Sequence, residues 1–533
     1  MNYLNGDRRS FLKFLGRSSA LILAASCSTG SVFKSNNGKK LVSLSASTKD
    51  ELELADGFQY KVLMSWGDII NQTGEKFGYN NDFLAFIPID QSNQNEGFLW
   101  VNHEYVHPLF VSGHVTDDNF FRKTIEQARE EMKAVGGSIL HIKKINENWE
   151  LIKNSKYNRR LDAFTMIPFA NNTKIFNSNV AMGTLANCAG GITPWGTFLS
   201  CEENFQNFYG DVIFEKEGNR IKQNAKWIMG WDIHFNNPPE HYGWVVEIEP
   251  RTGVAKKLVS LGRFSHEGAC VVTAKSGKVV VYMGDDANDE CFYKFISDQP
   301  NSLDSGTLYV ASLEQKKWIP LEISNPLLKN KFKDQTELLI RTREAAHLVG
   351  GTKLDRPEDC EIDPVTGHIL FTCTNNVPKQ RPYGSILKFI EKNNDYESLE
   401  FEHSVFLTGG DSSTIACPDN LAFDKKGNLW ITNDISEEEM SSTTYKKFGN
   451  NSLFYIPMSG INSGKVYKIA SAPMDAELTG PCFSPDGKTL FLSVQHPGAL
   501  SKNLNSLTSH WPNGGTSIPK PSVVAITLPD YLV

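Results

Sequence analysis

Across 533 residues there is no C-x-x-C pair, no G-x-S-x-G pentapeptide, no surplus of positive charge and, beyond the first 30 residues, no long apolar run. Each absence removes a class of function. Without paired cysteines there is neither a zinc ribbon nor a thioredoxin-like redox site. Without a nucleophile elbow, serine-hydrolase chemistry of the α/β type has no anchor. Lys and Arg total 54 against 61 Asp and Glu, a net charge of −7, so no global field draws the chain to nucleic acid or anionic lipid. No later window approaches the roughly 18 consecutive apolar residues of a membrane-spanning helix. What the chain does have is turn formers and β formers, with 41 Gly, 24 Pro and 11% aromatics. Disorder, collagen and coiled coil are excluded by that composition, and the length fits either several ordinary domains or one large architecture.

Helical periodicity is equally scarce. One amphipathic stretch, Phe121 to Val135, follows Thr116-Asp117-Asp118-Asn119 and ends at Gly136-Gly137, which predicts a helix there. Elsewhere short apolar runs such as Lys278–Tyr282, Thr307–Ala311, His368–Phe371 and Asn428–Ile431 alternate with Gly, Asp, Asn and Pro turns, the signature of strands. Four segments repeat one plan: a polar start, an apolar strand, a turn rich in Asp, Pro, Gly and Lys, and a second strand ending in polar groups. They begin at His266-Glu267, Pro357-Glu358, Pro418-Asp419 and Thr479-Gly480. Glu358, Asp419 and Gly480 are spaced by 61 and 61 residues, and Glu267 precedes Glu358 by 91. Repeated sheets of this kind form a β-propeller. At roughly 60 to 80 residues per blade, somewhat above the usual length, the fold class is all-β with six blades as the best fit and five or seven still open. Helical and loop insertions complete it, the helix being expected on the rim. Ser522–Ile526 is expected to close the ring with the first blade.

In a propeller the inner strands line the axis, so equivalent residues at their starts converge at one mouth. Glu267, Glu358 and Asp419 occupy such positions, and Glu202-Glu203 ends the earlier strand Trp195–Cys201. Carboxylates brought so close repel one another and lose hydration, which calls for multivalent cations. Carboxylate oxygens suit Ca2+, and a set that includes a thiolate suits Fe3+ or Mn2+. Arg356, two residues before Glu358, should share its face and is suited to bidentate phosphate binding. His496, after the last repeated strand, is expected at the same mouth. Asp285-Asp286 reads equally as a second acidic layer or a turn, and His103 as a packed histidine.

The N-terminus carries a second signal. Asp7-Arg8-Arg9-Ser10-Phe11-Leu12-Lys13 and a weak apolar segment predict twin-arginine export, a route suited to proteins loaded with cofactors before export. Leu23-Ala24-Ala25-Ser26-Cys27 resembles a lipoprotein cleavage box, with Leu one place too early. A lipid anchor at Cys27 and a periplasmic or membrane-anchored location are expected. The eight later cysteines are expected mainly as buried apolar residues in strands.

These residues carry a family resemblance. The chain resembles the PhoX-type alkaline phosphatases in its twin-arginine signal, Asn102-His103-Glu104-Tyr105, Glu130-Glu131-Met132, Asn187-Cys188-Ala189-Gly190-Gly191 and Cys201-Glu202-Glu203-Asn204. Further matches are Ser265-His266-Glu267-Gly268, Gly284-Asp285-Asp286, Arg356-Pro357-Glu358 and Gln495-His496-Pro497-Gly498. The resemblance implies a six-bladed propeller with iron and calcium ions on its axis that hydrolyses small phosphate esters outside the cytoplasm. It implies that Cys188 is an iron-binding thiolate, that Glu203 or its neighbour Glu202 and Glu267 are metal carboxylates, that Arg356 grips phosphate and that Glu358 binds calcium. Asp419, Asn420 and Glu477 are further metal candidates, and Thr165 to Asn179 matches no pattern of the family.

Two rival readings stand beside it. Pro418-Asp419-Asn420-Leu421 with Asn428–Asp434 also looks like a calcium-dependent lactonase of the gluconolactonase and paraoxonase type, for which Cys188 has no use. The other is a non-catalytic propeller stapled by calcium. The expected organisation is an export signal over 1–27, a flexible tether over 28–48 and one catalytic propeller over 49–533, acting as a monomer on a small molecule, with nucleic acid no primary partner.

Overall fold

The computed structural model describes residues 41–115, 123–215, 218–225 and 229–533. Six antiparallel sheets of four or five strands follow one another along the chain. Their first strands are Asn81–Asp90, Asn187–Ile192, His266–Thr273, Pro357–Ile362, Pro418–Phe423 and Glu477–Phe483. Each touches the first strand of the next sheet, and the sixth touches the first. These strands therefore line the axis of a closed six-bladed propeller. The four repeats legible in the sequence are blades 3 to 6.

The strands form where the sequence alternates β-branched residues with turn formers. In blade 3, Val279–Asp285 pairs with Phe292–Ser297, and that sheet buries both faces because blades stack on either side. Phe292 of blade 3 lies on Phe371 of blade 4 with ring centroids 4.0 Å apart, and Trp100 of blade 1 stacks on Phe198 of blade 2 at 5.9 Å. Each such ring contributes about 1.5–3 kcal/mol of burial. Ring closure mixes the two ends of the described chain. Ser522–Thr527 lies between Thr489–Gln495 and Gln59–Ser65, and Glu53–Leu54 adds an edge strand to blade 5.

Two expectations change. The segment 41–48, assigned to a tether, runs along blade 5: Leu44 N donates to Lys468 O at 2.9 Å and Asn450 N donates to Ser47 O at 2.8 Å. The helix spans Ile125–Ala134, with Thr124 and Gln127 forming a capping box; positions 121 and 122 of the expected helix lie outside the described residues. It sits between the second and third strands of blade 1, at the mouth end and not on the rim. There Ala128, Met132 and Val135 pack with Ala186, Phe205 and Trp231. Its buried Glu131 accepts from Lys123 Nζ at 2.6 Å and Trp231 Nε1 at 2.8 Å. The unmatched segment 165–179 contributes Met166–Pro168, which forms a small hairpin with Val180–Met182 outside the blades.

One irregularity recurs in every blade. Pairing between the first and second strands slips by one residue near its start, between Asn81 and Leu84, Asn187 and Gly190, Glu267 and Cys270, Pro357 and Cys360, Pro418 and Leu421, and Thr479 and Cys482. A bulge of this kind bends the strand and re-aims a side chain. Six of them ring the axis at one level.

Candidate active site at the mouth of the axis

The bulges set a first tier of side chains. The residue after the last paired position before each slip is Asp82, Cys188, Gly268, Glu358, Asp419 or Gly480, from blade 1 to blade 6. Glu267 therefore sits one position earlier than Glu358 and Asp419, which corrects the equivalence read from sequence. It still reaches the cluster: Cys188 Sγ donates to Glu267 Oε1 at 3.1 Å. The Cys188 backbone is fixed from blade 1, where Asn102 Nδ2 donates to Cys188 O at 2.6 Å and to Ala189 O at 2.9 Å.

A second tier comes from the residue just past each second strand, namely Glu104, Glu203, Asp286, Thr374, Asp434 and His496. In five blades its N–H is held by the residue before the inner strand. Glu104, Glu203, Asp286, Thr374 and Asp434 donate to Asn80, Ala186, Ser265, Arg356 and Cys417 carbonyls at 3.1, 2.8, 3.0, 3.0 and 2.9 Å. Four of those acceptors, Asn80, Ala186, Arg356 and Cys417, have φ between 46° and 54°. Left-handed backbone at non-glycine residues costs about 1–3 kcal/mol each and clusters at functional sites.

The two tiers meet. Ligand atoms of Glu104, Cys188 and Glu203 lie within 4.8 Å of one another, as do those of Glu203, Glu267 and Asp286. Glu203, Glu267 and Glu358 are 2%, 3% and 2% exposed, so their charge has little water to spread into. Burial first, then neighbouring carboxylates, pushes Glu267 well above the usual range. Burial likewise raises Glu104, Glu203, Glu358, Asp419 and Glu477. It also raises the Cys188 thiol, with Asp82 and Glu267 adding to the effect. Asp82 is pushed up to about 6 by burial, against a hydrogen bond from Thr479 that lowers it. Burial alone would lower the Arg356 guanidinium, but Asp286, Glu358 and Asp434 hold it well above its ordinary value. Glu203 Oε1 and Glu358 Oε2 are buried with no hydrogen-bond partner among the described residues. Unpaired carboxylate oxygens facing a thiol and further carboxylates are what a cation site requires.

Most of the residues singled out from sequence are brought together. Arg356 Nη2 is 2.7 Å from Glu358 Oε1, and Nε donates to Asp286 Oδ1 at 2.8 Å. His496 Nε2 is 3.6 Å from Glu477 Oε2, while Nδ1 bonds to Asp475 O at 2.9 Å. Two residues are placed otherwise. Glu202 turns into blade 2, where its oxygens meet Lys257 Nζ at 2.6 Å, Thr184 Oγ1 at 2.9 Å and Gly243 N at 3.0 Å. Strand alternation points Glu203, not Glu202, to the mouth. Asn420 Oδ1 accepts from Gly480 N at 2.7 Å and lies 2.5 Å from Thr479 Oγ1, whose single proton is contested by Asp82 Oδ1; that oxygen is therefore turned to blade 6. Its role is to hold Asp419, to which Nδ2 donates at 2.9 Å. His103 is packed, bonded to Tyr79 O and Ser138 Oγ.

The sequence reading does not single out Asp82, Glu104 or Asp434 as site residues, and it leaves Asp286 open between an acidic layer and a turn. Glu104, Asp286 and Asp434 each follow an apolar second strand, a signal the sequence carries, whereas Asp82 starts the first strand of blade 1, where no repeat is recognisable. Asp285 and Asp286 divide the two readings of that pair. Asp285 takes a bidentate Arg343, with Nε at 2.8 Å, and Asp286 faces the mouth.

A family model described as alkaline phosphatase PhoX matches residues 40–498. Among solved structures, Pseudomonas fluorescens PhoX in complex with vanadate, a transition state analogue, is similar at 29% identity and a TM-score of 0.80. The match covers 92% of this chain and 98% of that one. A gluconolactonase from Xanthomonas campestris is far more remote, at 9% identity and a TM-score of 0.35 over 93% and 99% of the two chains. A calcium structure of Trichoderma reesei carbohydrate-active enzymes family AA12 stands at 11% and 0.38 over 91% and 98%. Neither remote likeness bears on function. No curated protein matches the chain.

Proposed function

The chain belongs to the alkaline phosphatase PhoX family, and from that premise we propose that the mouth of its axis hydrolyses phosphate esters with the help of bound iron and calcium. Family membership and the likeness to a PhoX that holds a transition state analogue make it a phosphoric ester hydrolase. The metal reading is carried by one observation: the unpaired Glu203 Oε1 and Glu358 Oε2 sit among carboxylates and a thiol that burial makes reluctant to ionise without cations. Glu104, Cys188, Glu203, Glu267 and Asp286 would hold Fe3+, whose charge suits carboxylate and thiolate together, and Glu358, Asp419 and Glu477 would hold Ca2+. When bound, such ions neutralise phosphoryl oxygens and acidify water for in-line attack.

The chain's own groups orient the ester. Asp286, Glu358 and Asp434 fix the Arg356 fork from three sides, so an incoming phosphate meets an oriented guanidinium and loses less entropy on binding. His496 Nδ1 donates to Asp475 O, which turns Nε2 toward Glu477 Oε2, 3.6 Å away, and the mouth. Tyr105 stacks on that imidazole with centroids 6.1 Å apart and limits its rotation. The lactonase reading needs Asn420 as a calcium ligand, and its oxygen is turned to blade 6.

Elemental analysis of the purified chain, with p-nitrophenyl phosphate and lactone hydrolysis measured before and after chelation, tests this. Iron and calcium with chelator-sensitive phosphatase activity support it; lactonase activity with calcium alone overturns it. The reaction is proposed to run outside the cytoplasm. Arg8-Arg9 and Cys27, which motivate that location, lie outside the described residues. Export that survives a Lys-Lys replacement of Arg8-Arg9 sinks that part.

A further inference from the structure

On the flank of blade 3, away from the axis, the turn between its second and third strands meets the short helix Thr342–Leu348. Glu290, Cys291 and His347 come together there, with one ligand atom from each within 4.8 Å of the other two. His347 Nε2 lies 3.1 Å from Glu290 Oε2 without a well-aligned hydrogen bond between them, and neither atom has another hydrogen-bond partner among the described residues. Two buried atoms that face only each other leave a place for a group that satisfies both. Cys291 is fully buried. A Cβ at Gly351 would come within 3.1 Å of its Sγ, so a side chain there would crowd the sulfur.

We propose that Glu290, Cys291 and His347 form a binding site for a single Zn2+ ion, separate from the axial cluster. Sulfur, imidazole nitrogen and one carboxylate oxygen are the donors Zn2+ prefers and Ca2+ does not. Zinc bond lengths of about 2.0–2.3 Å put tetrahedral donors roughly 3.3–3.6 Å apart. The Glu290–His347 contact already lies near that spacing, and the sulfur is within 4.8 Å of both donors. Glu290 and His347 side chains are 15% and 30% exposed, which gives the ion a route from solvent and leaves a fourth position for water. The backbone beneath is rigid: Asp289 N donates to Leu354 O at 2.9 Å and Leu354 N to Glu290 O at 2.8 Å. Burial, then Glu290 and Asp285, holds the Cys291 thiol above its ordinary value, with Lys353 and Arg343 opposing, so zinc binding would have to displace the thiol proton to solvent. The turn that carries Glu290 begins at Asp286, so the ion would clip the helix to the segment that presents Asp286 to the mouth.

The test uses the purified chain with its axial metals in place, titrated with Zn2+ and desalted into metal-free buffer. Wild type is compared with Cys291→Ser and His347→Gln. The expected result is one more zinc per chain in wild type than in either variant, and an affinity at least about 100-fold weaker in the variants. Zn2+ should also raise the melting temperature of wild type only. Because Cys291→Ser alters a buried position, the partly exposed His347→Gln is the deciding variant. Equal zinc content and equal thermal shift in wild type and a folded His347→Gln overturn the site, whatever happens to phosphatase activity.

Discussion

The Cys188 thiol donates a 3.1 Å hydrogen bond to Glu267 Oε1 and so joins the inner strands of blades 2 and 3 across the mouth. Burial and neighbouring carboxylates keep that thiol protonated, and a bound ferric ion would be needed to hold it as thiolate. Cys188→Ser retains a hydrogen-bond donor of similar size but removes the soft ligand. Iron content should fall to near zero and kcat by at least about 100-fold, with the fold intact by circular dichroism. A variant that keeps its iron refutes the ligand role.

Arg356 combines two strains, a guanidinium among three carboxylates and φ of 50°. Arg356→Ala leaves those carboxylates uncompensated and removes the phosphate fork, so kcat/KM should drop by at least about 100-fold, equivalent to about 3 kcal/mol. Arg356→Gly loses the same chemistry but relaxes the backbone. It should melt above Arg356→Ala by an amount equivalent to about 1 kcal/mol. Equal melting temperatures would deny the backbone strain.

The unpaired oxygens of Glu203 and Glu358 predict opposite effects with and without metal. In chelated protein, Glu203→Gln removes a buried carboxyl that burial and Asp286 hold well above the usual range and should raise the melting temperature by several degrees, whereas Glu358→Gln also breaks the 2.7 Å pair with Arg356 and should gain less. In metal-loaded protein the same change removes a ligand and should lower both melting temperature and activity. Scanning calorimetry of the loaded and chelated forms checks the sign reversal.

How much of this the sequence announces depends on the blade. Blades 3 to 6 join their first and second strands through turns of one kind, at 274–278, 363–368, 424–428 and 484–488, so their repeat is recognisable and Glu267, Glu358 and Asp419 stand out. The corresponding turns are 90–93 in blade 1, without Gly, Pro or Lys, and 193–197 in blade 2, without Asp or Lys. Asp82 and Glu104 therefore lacked a frame. The resemblance supplied Cys188, whose bulge position no periodicity marks. Asn420 and Glu202 misled because an Asn beside an Asp, or adjacent glutamates, reads alike whether the side chain faces the axis or a strand neighbour.

Lys468 predicts a pH effect far from the mouth. Burial lowers it to about 8 from 10.5, with Nζ donating to Phe448 O at 2.8 Å. The unfolded chain then binds more protons than the folded one between about pH 8 and 10.5, so stability rises with pH across that window. The gain is complete above the unfolded value and lost as pH falls through the folded one, on the order of 3 kcal/mol for a shift of this size. Lys468→Met should flatten the rise relative to wild type in denaturant titrations from pH 7.5 to 10.5. An unchanged difference between the two proteins across that range removes Lys468 as the cause.

The bulges themselves can be tested at Gly268, the blade 3 member of the first tier. Its φ is 82°, and a Cβ there would sit 2.6 Å from Asp359 Oδ1 and 3.3 Å from the Asp359 Cα. Asp359 cannot retreat freely, because its other oxygen accepts from Leu421 N at 2.9 Å and so links blade 4 to blade 5. Gly268→Ala should cost about 1 kcal/mol for the backbone and a further 1–3 kcal/mol for the clash, with activity falling as Glu267, its immediate neighbour, is displaced. Gly460, with φ of 79° and no described atom within 4 Å of where a methyl group would sit, isolates the backbone part, and Gly460→Ala should cost only about 1 kcal/mol. If the two substitutions destabilise equally and neither touches turnover, the bulge level is ordinary turn geometry and the registration of the mouth comes from elsewhere.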